Sequence, residues 1–92
     1  MSDLTVDAGS GSFEPEAVAQ SFGAVLREAR HGRGVTQERL AEAVGVDRTY
    51  ISMLERGVHQ PSLSVFLRLA DALGAAPEEF VGGVVRGVRR EA

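Results

Sequence analysis

Thr36 and Asp47 stand eleven residues apart, and each opens the same short pattern. Val35 precedes Thr36 and Leu40 follows it; Val46 precedes Asp47 and Ile51 follows it. A hydroxyl or carboxylate in such a place satisfies the free N–H groups of a first helical turn, and the flanking apolar pair staples the incoming chain. Each run then stops at a glycine, Gly45 and Gly57, the residue that takes up a left-handed conformation most easily. Only Gly45 and Val46 separate the first of these helices from the cap of the second. A helix, a short Gly-containing turn and a second capped helix make a helix-turn-helix unit.

The rest of the chain reads as support for that unit. Residues 1–14 form an acidic tail, flexible where MSDLTVDAGSGS ends in alternating Gly and Ser. Pro15 suits a first helical position. Val18, Phe22, Val25, Leu26 and Ala29 then fall at helical spacing, which predicts a helix from about Pro15 to Arg30, ended by Gly32 and Gly34. Gly23 weakens that pattern and leaves Ser21 as a second candidate start. Ser62, after Pro61, caps a fourth helix whose expected buried stripe is Leu63, Phe66, Leu67, Ala70 and Leu73, with Gly74 as its stop. Pro77, Glu78 and Glu79 open a short fifth helix. Residues 82–92 are treated as an extension of a domain over residues 15–81. Its valines keep helical spacing, but three glycines and β-branching fit a frayed helix or a short strand equally. The expected class is all-α.

The second helix of the unit, about 47–56, poses the functional question. Ile51, Leu54 and Glu55 fall on one side at 100° per residue; Thr49, Ser52, Met53 and Arg56 fall on the other, flanked by Arg48 and Tyr50. A face that needed only solubility would not require so many hydrogen-bonding tips beside one Met. The net charge of −3 argues at first against an anionic partner. However, Asp3, Asp7, Glu14 and Glu16 place −4 in the first 21 residues, and residues 22–92 carry ten Arg against nine acids. Every basic residue is Arg, the side chain suited to planar bidentate contacts with phosphate and guanine.

The run GVTQERLAEAVGVDRTYISMLERGVHQPSLSVFLRLADALG resembles the Cro/C1-type (Xre) helix-turn-helix family of phage repressors and bacterial regulators. The match spans about Phe22 to Val81. It rests on Thr36-Gln37, Leu40-Ala41, Gly45, Ile51-Ser52, Glu55-x-Gly57 and Pro61-Ser62-Leu63 in that order. The stretch DRTYIS is also similar to controller proteins of restriction–modification systems. The resemblance implies a five-helix, lambda-repressor-like fold with helix three as the recognition helix, its N-terminal half in the major groove. Carried onto this chain, it implies base contacts from Arg48, Thr49 and Met53, and phosphate contacts from Thr36, Gln37, Tyr50, Ser52 and Arg56. It implies a structural salt bridge between Arg30 and Glu55. The loop Val58-His59-Gln60 lacks the basic residues that relatives often carry there.

The expected partner is double-stranded DNA, bound by a homodimer on a palindromic operator, because one small domain makes too few contacts for selectivity. Phe80, Val81, Val84, Val85 and Val88 form an apolar strip assigned to the dimer interface; folding back over helix one is its alternative fate. The competing class is a protein-interaction module, such as an antitoxin-like partner or a controller protein. Enzymatic function is not expected, since no nucleophile–base ordering, phosphate loop or catalytic carboxylate pair appears. His31 and His59 share no metal-ligand spacing, and no cofactor or metal is expected. The chain contains no Cys and no membrane-length apolar run, and lacks a basic stretch ahead of an apolar one at the N-terminus; the expected location is the cytoplasm.

Overall fold

The computed structural model describes residues 13–91; Asp3, Asp7 and the rest of the tail up to Ser12, together with Ala92, lie outside the described residues. Five helices form among them: α1 Pro15–Gly32, α2 Gln37–Val44, α3 Arg48–Glu55, α4 Leu63–Ala72 and α5 Pro77–Glu91. Local chemistry explains most of their ends. The Thr36 hydroxyl accepts the Arg39 N–H at 3.0 Å, and the Ser62 hydroxyl accepts the Val65 N–H at 3.2 Å. Gly45 takes φ 76° and closes α2 with a 2.9 Å bond from its N–H to the Ala41 carbonyl. Asp47 occupies the N-cap position of α3 in extended backbone, yet its carboxylate makes no capping hydrogen bond. Only half of the expected cap is realised there. α1 continues two residues beyond Arg30, through Gly32, and Gly23 does not interrupt it.

An isolated eight-residue helix is unstable in water, so α2 and α3 depend on what they bury. Leu40 from α2, Ile51 and Leu54 from α3, Leu26 from α1 and Leu69 from α4 are all fully buried. Each such side chain contributes about 1.5–3 kcal/mol on leaving water. The α4 stripe departs from expectation. Phe66, Leu69, Ala70 and Leu73 are buried, whereas Leu63 and Leu67 remain 73% and 44% exposed. The helix packs on α2 and α5 through Phe66, Leu69, Ala70 and Leu73, and Leu63 and Leu67 border that buried face without being covered by it.

α5 resolves the ambiguous C-terminal stretch as one helix across residues 77–91. Its glycines and valines make it a poor helix former alone; its packing along α1 supplies the missing stability. Phe80 closes an aromatic triad with Phe22 and Phe66, at centroid distances of 5.4 Å to each. The Ser21 hydroxyl donates to the Val84 carbonyl at 2.7 Å. Phe80, Val84 and Val88 are buried inside the chain. This corrects the expected dimer strip: those three residues already have partners within one subunit, and only Val81 and Val85 of the five face outward in part.

Candidate nucleic-acid interface

α3 is held from beneath by Ile51 and Leu54 and at its C-terminal end by an ion pair. Arg30 of α1 donates from Nε to Glu55 Oε2 at 2.6 Å and from Nη2 to Oε1 at 3.0 Å. The two side chains are 9% and 3% exposed. The Arg30 Nη1 also donates to the Val35 carbonyl at 2.8 Å, so one guanidinium joins α1, the start of α2 and the end of α3. The expected Arg30–Glu55 bridge is present in this structure. His31 sets its Nε2 3.2 Å from the Arg30 Nη2, while His59 is exposed.

Burial alone would push the Glu55 carboxyl up, but hydrogen bonds from Arg30 and Gln37, with the charges of Arg30 and Arg27, outweigh it and hold the group below its ordinary value of 4.5. The hydrogen bond to Glu55 raises Arg30 in turn, against the lowering effect of burial. As pH falls, the unfolded chain therefore takes up this proton before the folded one does. Its stabilising contribution is complete above about pH 4.5 and disappears as pH drops through the lower folded value. Glu55→Gln is expected to lose less stability than the wild type over that acid range. Urea melts at neutral and acid pH compare the two, and parallel losses would rule out linkage through Glu55.

The outward face of α3 is not uniform. Arg48, Thr49 and Arg56 are exposed, and Ser52 and Met53 are half-buried along their flank. Tyr50, expected at a phosphate, is partly buried with its side chain packed against the core. Gln37 is likewise engaged: its Nε2 donates to Glu55 Oε1 at 3.0 Å, and its Oε1 accepts from Arg48 Nη1 at 3.3 Å. The Thr36 hydroxyl serves its own helix as cap.

Sequence reasoning missed three supports of this site. Gln37 joins Glu55 to Arg48, and no local pattern announces a contact across eleven and eighteen residues. Arg68 of α4 donates from Nη1 to the Val44 carbonyl at 2.9 Å, bracing the end of α2 just before the turn. Gly23 lets α1 approach the Leu54 and Glu55 carbonyls, which would lie 2.5 and 2.6 Å from an added Cβ. Among the described residues, no group of three or more His, Cys, Asp or Glu is placed to hold a metal ion. No helix among them is long and apolar enough to cross a membrane.

A family model described as a helix-turn-helix domain matches residues 21–80, which include all of α2, α3 and α4. The chain belongs to the Cro/C1-type (Xre) helix-turn-helix family of DNA-binding transcriptional regulators. An HTH-type transcriptional regulator from Methanothermobacter thermautotrophicus is 52% identical over 50 residues, covering 54% of this chain and 72% of that protein. The crystal structure of the clp gene regulator ClgR from Corynebacterium glutamicum aligns with a TM-score of 0.77 at 32% identity, over 80% of this chain and 79% of that one. The restriction–modification controller protein C.AhdI from Aeromonas hydrophila aligns with a TM-score of 0.67 at 44% identity, over 70% of this chain and 97% of that one. The family comprises regulators, not enzymes, and the five-helix fold with its helix-turn-helix at α2 and α3 agrees with the sequence reading.

Proposed function

We propose that the chain is a sequence-specific regulator that reads a palindromic double-stranded operator as a homodimer, acting in the cytoplasm. The observation that carries this is the position of Arg48 and Thr49, both exposed at the N-terminal end of a helix clamped by Ile51, Leu54 and Glu55. With that end in the major groove, Arg48 bonds guanine O6 and N7, while Thr49 and Met53 touch base edges or a thymine methyl. Arg56, Ser52 and Thr36 serve the phosphates, and the α2 helix dipole adds to the Thr36 contact. Tyr50 contributes through its hydroxyl while its ring stays packed.

Selection of bound duplexes from a random pool tests the reading. A palindrome with two equal half-sites is expected; recovery of unrelated sequences overturns it. Arg48→Ala should then cost about 1–3 kcal/mol of binding and relax preference at one base pair per half-site. An unchanged ranking of operator variants would remove Arg48 from the base-reading set.

The dimer surface moves with the correction above. Leu63, Val81 and Val85, with Phe13, rim an apolar groove of about 280 Å³ whose floor includes Phe22 and Phe66. Leu63, Phe13 and Val81 are 73%, 51% and 45% exposed. A protruding Leu beside an apolar groove on one surface suits a two-fold contact, in which each subunit's knob meets the other's groove. Leu63→Glu with Val81→Glu, both on exposed positions, is expected to give a folded monomer with weakened operator binding. Sedimentation beside the parent checks this; a parent that is monomeric at tens of micromolar, roughly, contradicts the dimer. The same groove also favours a second reading, a docking module for another protein. Added salt separates the two, because DNA binding falls steeply through counterion release whereas an apolar contact does not.

A further inference from the structure

We infer that the acidic N-terminal segment is an internal ligand of the basic last turn of α5, and that it screens this turn from DNA outside the operator. The screening goes beyond the operator reading, and the contact itself does not depend on that reading. Two charge features of the chain take no part in the reading helix. Asp3 and Asp7 carry the charge of residues 1–12, which contain no Arg, Lys or His. Arg86, Arg89 and Arg90 stand near the other end of the chain, and all three are exposed.

The fold brings these two features together. α1 and α5 pack side by side, and Ala17 and Gln20 share one groove with Gly87, Arg90 and Glu91, so the start of α1 adjoins the end of α5. Phe13, the first described residue, sets its ring centroid 5.8 Å from the Arg89 guanidinium carbon. The acidic segment therefore leaves the body of the protein at the middle of the three arginines. Spaced i, i+3 and i+4, these side chains lie on one face within about 6 Å of helix axis. Among the described residues none of them makes an ion pair, and Glu91 alone brings a carboxylate into the same turn. Glu14 and Glu16 stand exposed at the start of α1. The negative end of the helix dipole suits basic residues in a last turn. Three on one face nevertheless repel one another.

Reach and charge both suit the occupant. Asp7 lies six residues before Phe13 and Asp3 ten, spans of at most about 20 and 35 Å. A single exposed pair of charges contributes little. A tether this short, however, holds both carboxylates at roughly millimolar effective concentration over three clustered guanidiniums. The consequence concerns selectivity. DNA without the operator is held almost entirely through phosphate contacts, and an uncovered Arg cluster would add to them on any sequence. With the carboxylates in place, phosphate must displace them first. Non-operator affinity then falls while the base contacts of α3 are untouched.

The test uses the whole chain and has two parts. The sequence contains no Cys, so Thr5→Cys accepts a nitroxide at one position, between the two acids. Its broadening of backbone amide signals is compared with that in the Asp3→Asn, Asp7→Asn form, which keeps the tether without the charge. Expected is stronger broadening over residues 86–91 in the acidic form, lost in the neutral form and with added salt. An identical pattern in both forms overturns the inference. Affinity for a mixed-sequence duplex lacking the operator is then measured in four proteins. These are the parent, the neutral-segment form, a variant with Arg86, Arg89 and Arg90 each replaced by Gln, and the combined variant. Circular dichroism verifies each fold, and Arg89→Gln alone serves if the triple variant does not fold. Expected on neutralising the segment is a gain of about three- to tenfold at about 50 mM salt, with a salt slope steeper by about one to three. The gain vanishes once the arginines are Gln. No gain, or an equal gain in that background, overturns the screening. A chain that selects no operator removes the DNA reading, while the amide signals still report the contact on their own.

Discussion

Glu55→Ala is expected to destabilise the fold by about 3–5 kcal/mol, the cost of leaving a buried cation without its partner. The residue count understates its importance. Arg30 and Glu55 are 9% and 3% exposed, and the same carboxylate also receives Gln37. Truncation leaves the Arg30 guanidinium facing an apolar methyl with only the Val35 carbonyl and His31 beside it. A small domain holds about 5–15 kcal/mol in total. A loss on this scale lowers the melting temperature by on the order of 20 °C and populates unfolded chains under working conditions. Urea melts of Glu55→Ala, Arg30→Ala and the double variant measure the coupling; the double variant is expected to lose clearly less than the two single losses added together. A single loss below about 1 kcal/mol, the scale of an exposed pair, would show that the bridge is open to water.

Gly23→Ala is expected to be the second severe change, although helix propensity alone predicts the opposite. Ala in place of Gly in a helix interior gains about 1 kcal/mol. Here the new Cβ would stand 2.5 Å from the Leu54 carbonyl oxygen and 2.6 Å from that of Glu55. Both are backbone atoms at the end of α3 and cannot rotate aside. Relief requires α1 and α3 to separate, which costs about 3 kcal/mol or more and stretches the Arg30–Glu55 pair across the same interface. The net expectation is a loss of about 2 kcal/mol or more, with weakened operator binding because the reading helix shifts. Thermal melts decide it: a Gly23→Ala protein more stable than the parent would mean that α1 and α3 do not approach this closely.

Gly23 also marks where sequence reasoning stopped. As a letter in a helical run it is a defect; only the neighbouring helix makes it a requirement. The same holds for the C-terminal stretch. Val84 and Val88 present identical β-branched letters to Val81 and Val85, and nothing local distinguishes those that meet α1 from those left outside. Leu63 and Leu67 follow the periodicity of α4 as well as Phe66 and Ala70 do, yet they stay exposed.

What the sequence determined by itself was whatever depends on near neighbours. Caps at Thr36 and Ser62, the left-handed Gly45 and the short turn to Asp47 act within one or two helical turns, where residue type and spacing carry the physics. The side of α3 that holds Ile51 and Leu54 follows from a period of 3.6 residues and needs no partner to be read. The tertiary structure alone decided which apolar face found a partner, and that Gln37 spans from Glu55 to Arg48. Those outcomes depend on interatomic distances between segments far apart in the chain. Hydrogen bonds and packing weaken markedly over about an ångström, a scale on which residue order carries no information.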